Sequence, residues 1–99
     1  MFGQTHYSPK QINAIRNNSE YVACAASLKA AEANVNKLFN KIKEIEASIK
    51  YNEMHNLNTS VLKIELENNR KSYKSWCDRC SEIRKKQKVI SDYVANKIK

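Results

Sequence analysis

The sequence predicts an all-α fold: two long antiparallel helices forming a coiled-coil hairpin, with a short N-terminal helix as an option and pairing into a helical bundle expected. Three observations carry this. The only Gly is at position 3 and the only Pro at position 9, so residues 10–99 lack the residue types that tight hairpin turns, phosphate loops and bulges use. Apolar residues recur at alternating steps of three and four along two stretches, which is the spacing of a coiled-coil seam. One segment between the stretches is dense in Asn, Thr and Ser, which favour turns and caps over helix interiors. With 99 residues, the chain fits a single helical domain over 1–99.

The first helix, about 9–51, has a defined start. Ser8 is the N-cap, Pro9 takes the first helical position where its missing N–H costs nothing, and Gln11 stands where a capping box places Glu or Gln. Tyr7 and Ile12 occupy the hydrophobic-staple positions. The seam then runs Tyr21, Cys24, Leu28, Ala31, Val35, Leu38, Ile42, Ile45, Ile49. Residues 52–58 form the turn, with Asn58 as the next N-cap and Leu57 and Leu62 as its staple. The second helix, about 59–98, carries the seam Leu62, Leu66, Asn69, Tyr73, Trp76, Cys80, Ile83, Gln87, Ile90, Val94.

Folding the second helix back on the first gives a register with Ile49 beside Leu62, Ile45 beside Leu66, Leu38 beside Tyr73 and Val35 beside Trp76. The flanks then bring Glu32 and Glu46 toward Lys63, Arg70 and Arg84, which attract. Ala31 leaves room for the indole of Trp76, so Trp76 is expected to be the largest single contributor to the core, worth about 3–5 kcal/mol on truncation. Two other organisations stay open. The chain can form one continuous helix paired in parallel with a second copy, or Asn17-Asn18-Ser19-Glu20 can break the first helix and leave a short one that folds onto the hairpin.

Catalysis is not expected. Glu44 and Glu46 diverge on the helix surface, as do Glu65 and Glu67, because residues two apart point about 200° from each other. A narrow coiled coil offers no apolar pocket for a small-molecule substrate. No cofactor is implied. Cys77 and Cys80 form a Cys-x-x-Cys, a weak metal candidate because structural zinc requires four ligands and redox dithiols of this type sit in a βαβ setting.

The charge is +8, with eleven Lys and Arg against five Asp and Glu in 62–99, and seven against five in 1–61. Lys63, Arg70, Lys74, Arg84 and Lys88 fall along one row, with Arg79 and Lys86 on the other flank and Lys71 and Lys85 outside. Phe39 lies off the seam, as do Val22, Ile64 and Val89, and something is expected to cover such side chains. The expected function is a non-enzymatic protein–protein interaction module of the adaptor, chaperone or inhibitor type, which also self-associates. Its partner-binding residues are Phe39, Trp76, Arg70, Lys74, Arg79, Arg84, Lys85, Lys86 and Lys88, and its partner has an acidic surface. The alternative is a nucleic-acid-binding accessory protein using the basic second helix. No stretch is long and apolar enough to span a membrane, and Met1 to Pro9 has no signal-peptide pattern, so a cytoplasmic location is expected. In size and hairpin pattern the chain resembles the small W-x-G helical proteins, but Trp76 lies inside the second helix with no Gly near it, so no family is assigned.

Overall fold

The computed structural model describes residues 6–98. In chain order these form α1 (Pro9–Asn17), α2 (Ser19–Met54) and α3 (Ser60–Lys97), with no strand among the described residues. Helices α2 and α3 pack against each other as a hairpin.

The start of α1 is the predicted capping box. The Ser8 side chain accepts from the Gln11 backbone N–H at 3.2 Å, and the Gln11 side-chain oxygen accepts from the Ser8 N–H at 2.8 Å. The single helix expected over about 9–51 is interrupted at Asn18, so the short N-terminal helix is the organisation that forms. Asn18 is extended (φ −72, ψ 124), and its N–H closes α1 by donating to the Ile15 carbonyl. Its side-chain oxygen meanwhile accepts from the Tyr21 N–H at 3.0 Å, so one Asn ends α1 and caps α2.

At its other end α2 runs to Met54, and the connection lies at 55–59 rather than 52–58. Asn56 adopts φ 56, the left-handed conformation of a helix-ending Schellman motif. The Leu57 N–H reaches the Asn52 carbonyl at 2.7 Å and the Asn56 N–H reaches that of Glu53 at 3.3 Å. This later stop moves the next cap by one residue. Thr59 rather than Asn58 holds the N-cap position, its carbonyl accepting from Lys63, while the Asn58 side chain accepts from the Ser60 N–H at 2.8 Å. The staple positions move with the cap, and Leu57 stays exposed instead of closing over Leu62. Because L-residues pay roughly 1–2 kcal/mol for the left-handed region and Gly does not, Asn56→Val is expected to lose about that much stability and Asn56→Gly none. Thermal melts followed by circular dichroism check both.

Every position of the two predicted seams is buried or half-buried. The described chain divides into two compact units. One is Ala30–Cys80, with Ala31, Ile45, Ile49 and Cys80 buried in it. Two ion pairs cross from α3 to α2 here, Arg70 to Glu46 at 2.9 Å and Lys63 to Glu53 at 3.6 Å. The first is a flank contact that the register anticipates. Trp76 departs from expectation: it is half-buried, absent from the fully buried set. An indole is wider than a two-helix seam, and no third layer closes over its outer edge within this unit.

The other unit comprises residues 6–29 and 81–98, where Ile15, Cys24, Ile90 and Ala95 are buried. Here α1 is tied to the last turns of α3. The Gln11 amide donates to the carbonyls of Ala95 at 2.9 Å and Ile98 at 3.0 Å, and the Tyr7 hydroxyl donates to an Asp92 carboxylate oxygen at 2.6 Å. Lys88 holds the other Asp92 oxygen at 3.1 Å. The Tyr7 hydrogen bond, then Lys88, keep the Asp92 carboxyl below its ordinary 3.8, and the bond to Asp92 keeps the Tyr7 hydroxyl above its ordinary 10.0.

Both shifts set a pH window. A lowered carboxyl contributes stability that is present above its unfolded value and lost as pH falls through its folded one; a raised phenol contributes below its unfolded value and loses it as pH rises through its folded one. The attachment of α1 is therefore expected to be flat between the ordinary values of 3.8 and 10.0 and to weaken outside them. Tyr7→Phe should abolish both limbs at α1, because the Lys88–Asp92 pair that remains lies within α3. Amide exchange and chemical shifts of α1 against pH provide the measurement, and an unchanged alkaline limb in Tyr7→Phe refutes the assignment.

Candidate functional site

The strongest grouping of expected partner-binding residues lies in the unit Ala30–Cys80. Phe39 follows the seam residue Leu38 by one position, which turns it out of the seam, and it is 45% exposed. Its ring lies 6.3 Å from that of Tyr73 at a 37° tilt. One turn along α2, the Lys43 ammonium stands 5.1 Å from the Phe39 ring centre. On α3, Trp76 is three residues beyond Tyr73 and so neighbours it on the helix surface, and the Arg79 guanidinium lies 5.1 Å from the indole.

Three aromatic side chains thus form a patch with a cation over each of two rings, held there by attraction to the ring faces. The hydrogen bond to Cys77, one turn away, holds the Tyr73 phenol above its ordinary 10.0. Chemically the patch offers flat apolar area, a phenol and a positive rim. Aromatic residues and Arg concentrate binding energy at interfaces because they bring large area at low entropic cost.

The basic residues arrange differently from a bare cationic stripe. Arg70 is bound by Glu46, Lys74 by Asp78 at 3.0 Å, Lys88 by Asp92, and Lys71 approaches Glu67 at 3.8 Å. Arg84 is also engaged within the chain. Lys85 and Lys86 are exposed; Lys86 edges an open groove of about 210 Å³ lined also by Glu20, Ala23, Cys24, Ser27 and Ile83. Of the expected residues, Phe39, Trp76 and Arg79 belong to the aromatic patch. Arg70 and Lys74 share its unit, while Arg84, Lys85, Lys86 and Lys88 belong to the other unit.

Sequence reasoning placed Tyr73 in the seam and passed over Lys43. The signal for Lys43 was available, a Lys four residues after an off-seam Phe. Of the Cys-x-x-Cys, Cys80 is buried and Cys77 half-buried, both as free thiols. Among the described residues no group of three or more His, Cys, Asp or Glu is arranged to hold a metal ion. No described helix is long and apolar enough to cross a membrane. No protein-family model matches the chain, and no curated protein or solved structure matches it significantly.

Proposed function

We propose that this chain is a non-enzymatic interaction protein, of the adaptor, chaperone or inhibitor kind, that binds a protein partner with an acidic surface through Phe39, Tyr73 and Trp76. Lys43 and Arg79 supply the positive rim. The observation that carries the reading is Phe39: a large aromatic side chain left 45% exposed, tilted against a second aromatic ring and edged by a cation, in a hairpin whose seam positions are buried or half-buried. Carboxylates of the partner meet Lys43 and Arg79 while its apolar side chains cover the rings.

Charge compensation favours this over the nucleic-acid reading. Binding to a phosphate backbone draws its free energy from cations that displace condensed counterions, and a Lys already paired with a carboxylate of its own chain contributes less. The test is affinity capture from the native host with wild type, Phe39→Ala and Arg79→Glu, all confirmed helical by circular dichroism. A partner retained by wild type and lost from both variants is expected. The same set retained by both variants, or a low-salt gel shift of DNA or RNA that neither variant alters, overturns the proposal.

A further inference from the structure

The Cys77-x-x-Cys80 pair has no part in the proposed binding surface, yet it occupies the same turns of α3 as Tyr73, Trp76 and Arg79. Cys77 directly follows Trp76 and is half-buried, whereas Cys80 is 3% exposed. Both are free thiols. A reagent in solution therefore meets Cys77 first, and Cys80 stands behind it as its neighbour on the helix surface. With Ala31, Cys80 is one of the two small side chains among the buried residues of its unit, so a shift of Cys80 displaces less packed volume than a shift of Ile45 or Ile49 would. Residues three apart on an α-helix hold their Cβ atoms about 5–6 Å apart, and a disulfide needs about 3.5–4.5 Å. The backbone bond that an α-helix places across this turn runs from the Cys80 N–H to the Trp76 carbonyl. Closing the pair takes that turn out of helical geometry. The same motif in a βαβ setting serves oxidoreductases; inside a helix its closure changes the local fold instead.

We propose that Cys77 and Cys80 are a thiol–disulfide switch, closed by a low-molecular-weight disulfide, whose closure displaces Trp76 from the aromatic patch. Cys77 gives up its proton and its sulfur attacks one sulfur of the small disulfide, whose S–S bond breaks and releases one thiolate. Cys80, deprotonated in turn, attacks the Cys77 sulfur of this mixed disulfide and expels the second thiolate. The two cysteines lose two electrons and two protons, and the small disulfide becomes two thiols. To reach Cys77, Cys80 leaves its buried position and the Cys80–Trp76 backbone bond is lost. The indole, with the Arg79 cation beside it, then no longer keeps its helical spacing to Tyr73. Strained disulfides are the easily reduced ones, which makes the step reversible. The effect on a partner rests on the proposed function, whereas the closure itself does not.

The test uses the full chain with Cys24→Ala, which leaves the pair as its only thiols, incubated with oxidised glutathione. The expected product has lost two hydrogens and carries no glutathione. Its helicity is lower by circular dichroism, the emission of Trp76, the only Trp, is shifted, and excess dithiothreitol restores both. Cys80→Ala in the same background should stop at a glutathione adduct on Cys77 and keep its helicity. Capture of the partner by the closed form should fall by roughly tenfold or more, the loss of one hot-spot aromatic. Thiols that stay free, an adduct on Cys77 that Cys80 never resolves, a bridge between copies rather than within the chain, or a closure that leaves ellipticity and emission unchanged overturns the proposal. So does undiminished capture by the closed form, which leaves the proposed function standing. If neither form captures a partner while closure and both spectral changes occur, the proposed function falls and the switch in α3 remains.

Discussion

Ile45→Ala should lower the stability of the chain by about 3 kcal/mol, more than truncation of any aromatic residue. Ile45 is 3% exposed and is the next-to-last position of the α2 seam, with Ile49 also buried one turn on. Truncation removes three buried carbons and leaves a gap that two long, mutually packed helices cannot close without disturbing the layers on either side. The half-buried seam residues Ile42 and Leu66 permit some relaxation, which keeps the loss below the top of the usual range. Small domains have total stabilities of about 5–15 kcal/mol, so the loss is a large fraction. Trp76→Ala, by contrast, should cost about 1–2 kcal/mol, because a half-buried side chain recovers only part of the transfer free energy of full burial. Urea unfolding followed by far-UV circular dichroism ranks the two. A larger loss for Trp76→Ala would restore the indole to the centre of the core and remove it from the candidate site.

The seams were legible because periodicity reports burial directly: a residue that faces a neighbouring helix on every second turn must be apolar or small, and Cys24, Ala31, Ile45, Ile49, Cys80 and Ile90 all are. The capping box was legible because it is entirely local. The break at Asn18 was only one of several readings, since Asn-Asn-Ser permits a helix to continue as well as to stop. What decides it is the anchoring of α1 to residues more than eighty positions away, through Tyr7 to Asp92 and Gln11 to Ala95. Local patterns hold no trace of such contacts. The turn came out late because Asn56, not a Gly, supplies the left-handed residue, so nothing in the sequence marks it apart from its Asn neighbours. At the candidate site, Phe39 was legible as a residue out of phase with its seam. Grouping Lys74 and Lys88 into one row of cations exaggerated the basic face, because the acids four residues after them neutralise them locally.

Gln11→Glu should release α1 from α3 at a cost of about 2 kcal/mol, although Glu is an equally good capping-box residue. The wild-type side chain performs two roles with its two ends. Its oxygen accepts from the Ser8 N–H, and its NH₂ donates to the Ala95 and Ile98 carbonyls at the end of α3. A carboxylate keeps the first role and reverses the second, placing an acceptor and a negative charge against two acceptors at the negative end of the α3 dipole. Two hydrogen bonds, each worth about 1 kcal/mol net, are lost, and the terminal carbonyls return to water. Protonation of the new carboxyl restores a donor, so the deficit relative to wild type should shrink as pH falls below about 4.3, the ordinary Glu value. Comparison with wild type at each pH cancels the loss of the Asp92 contact, which both proteins share. Gln11→Ala loses both roles and should be no more stable than Gln11→Glu at neutral pH. Amide exchange at Ile15, the one buried residue of α1, reports the release independently of global unfolding. If Gln11→Glu protects that amide as well as wild type does, the capping box alone holds α1 in place and the bonds to α3 contribute nothing.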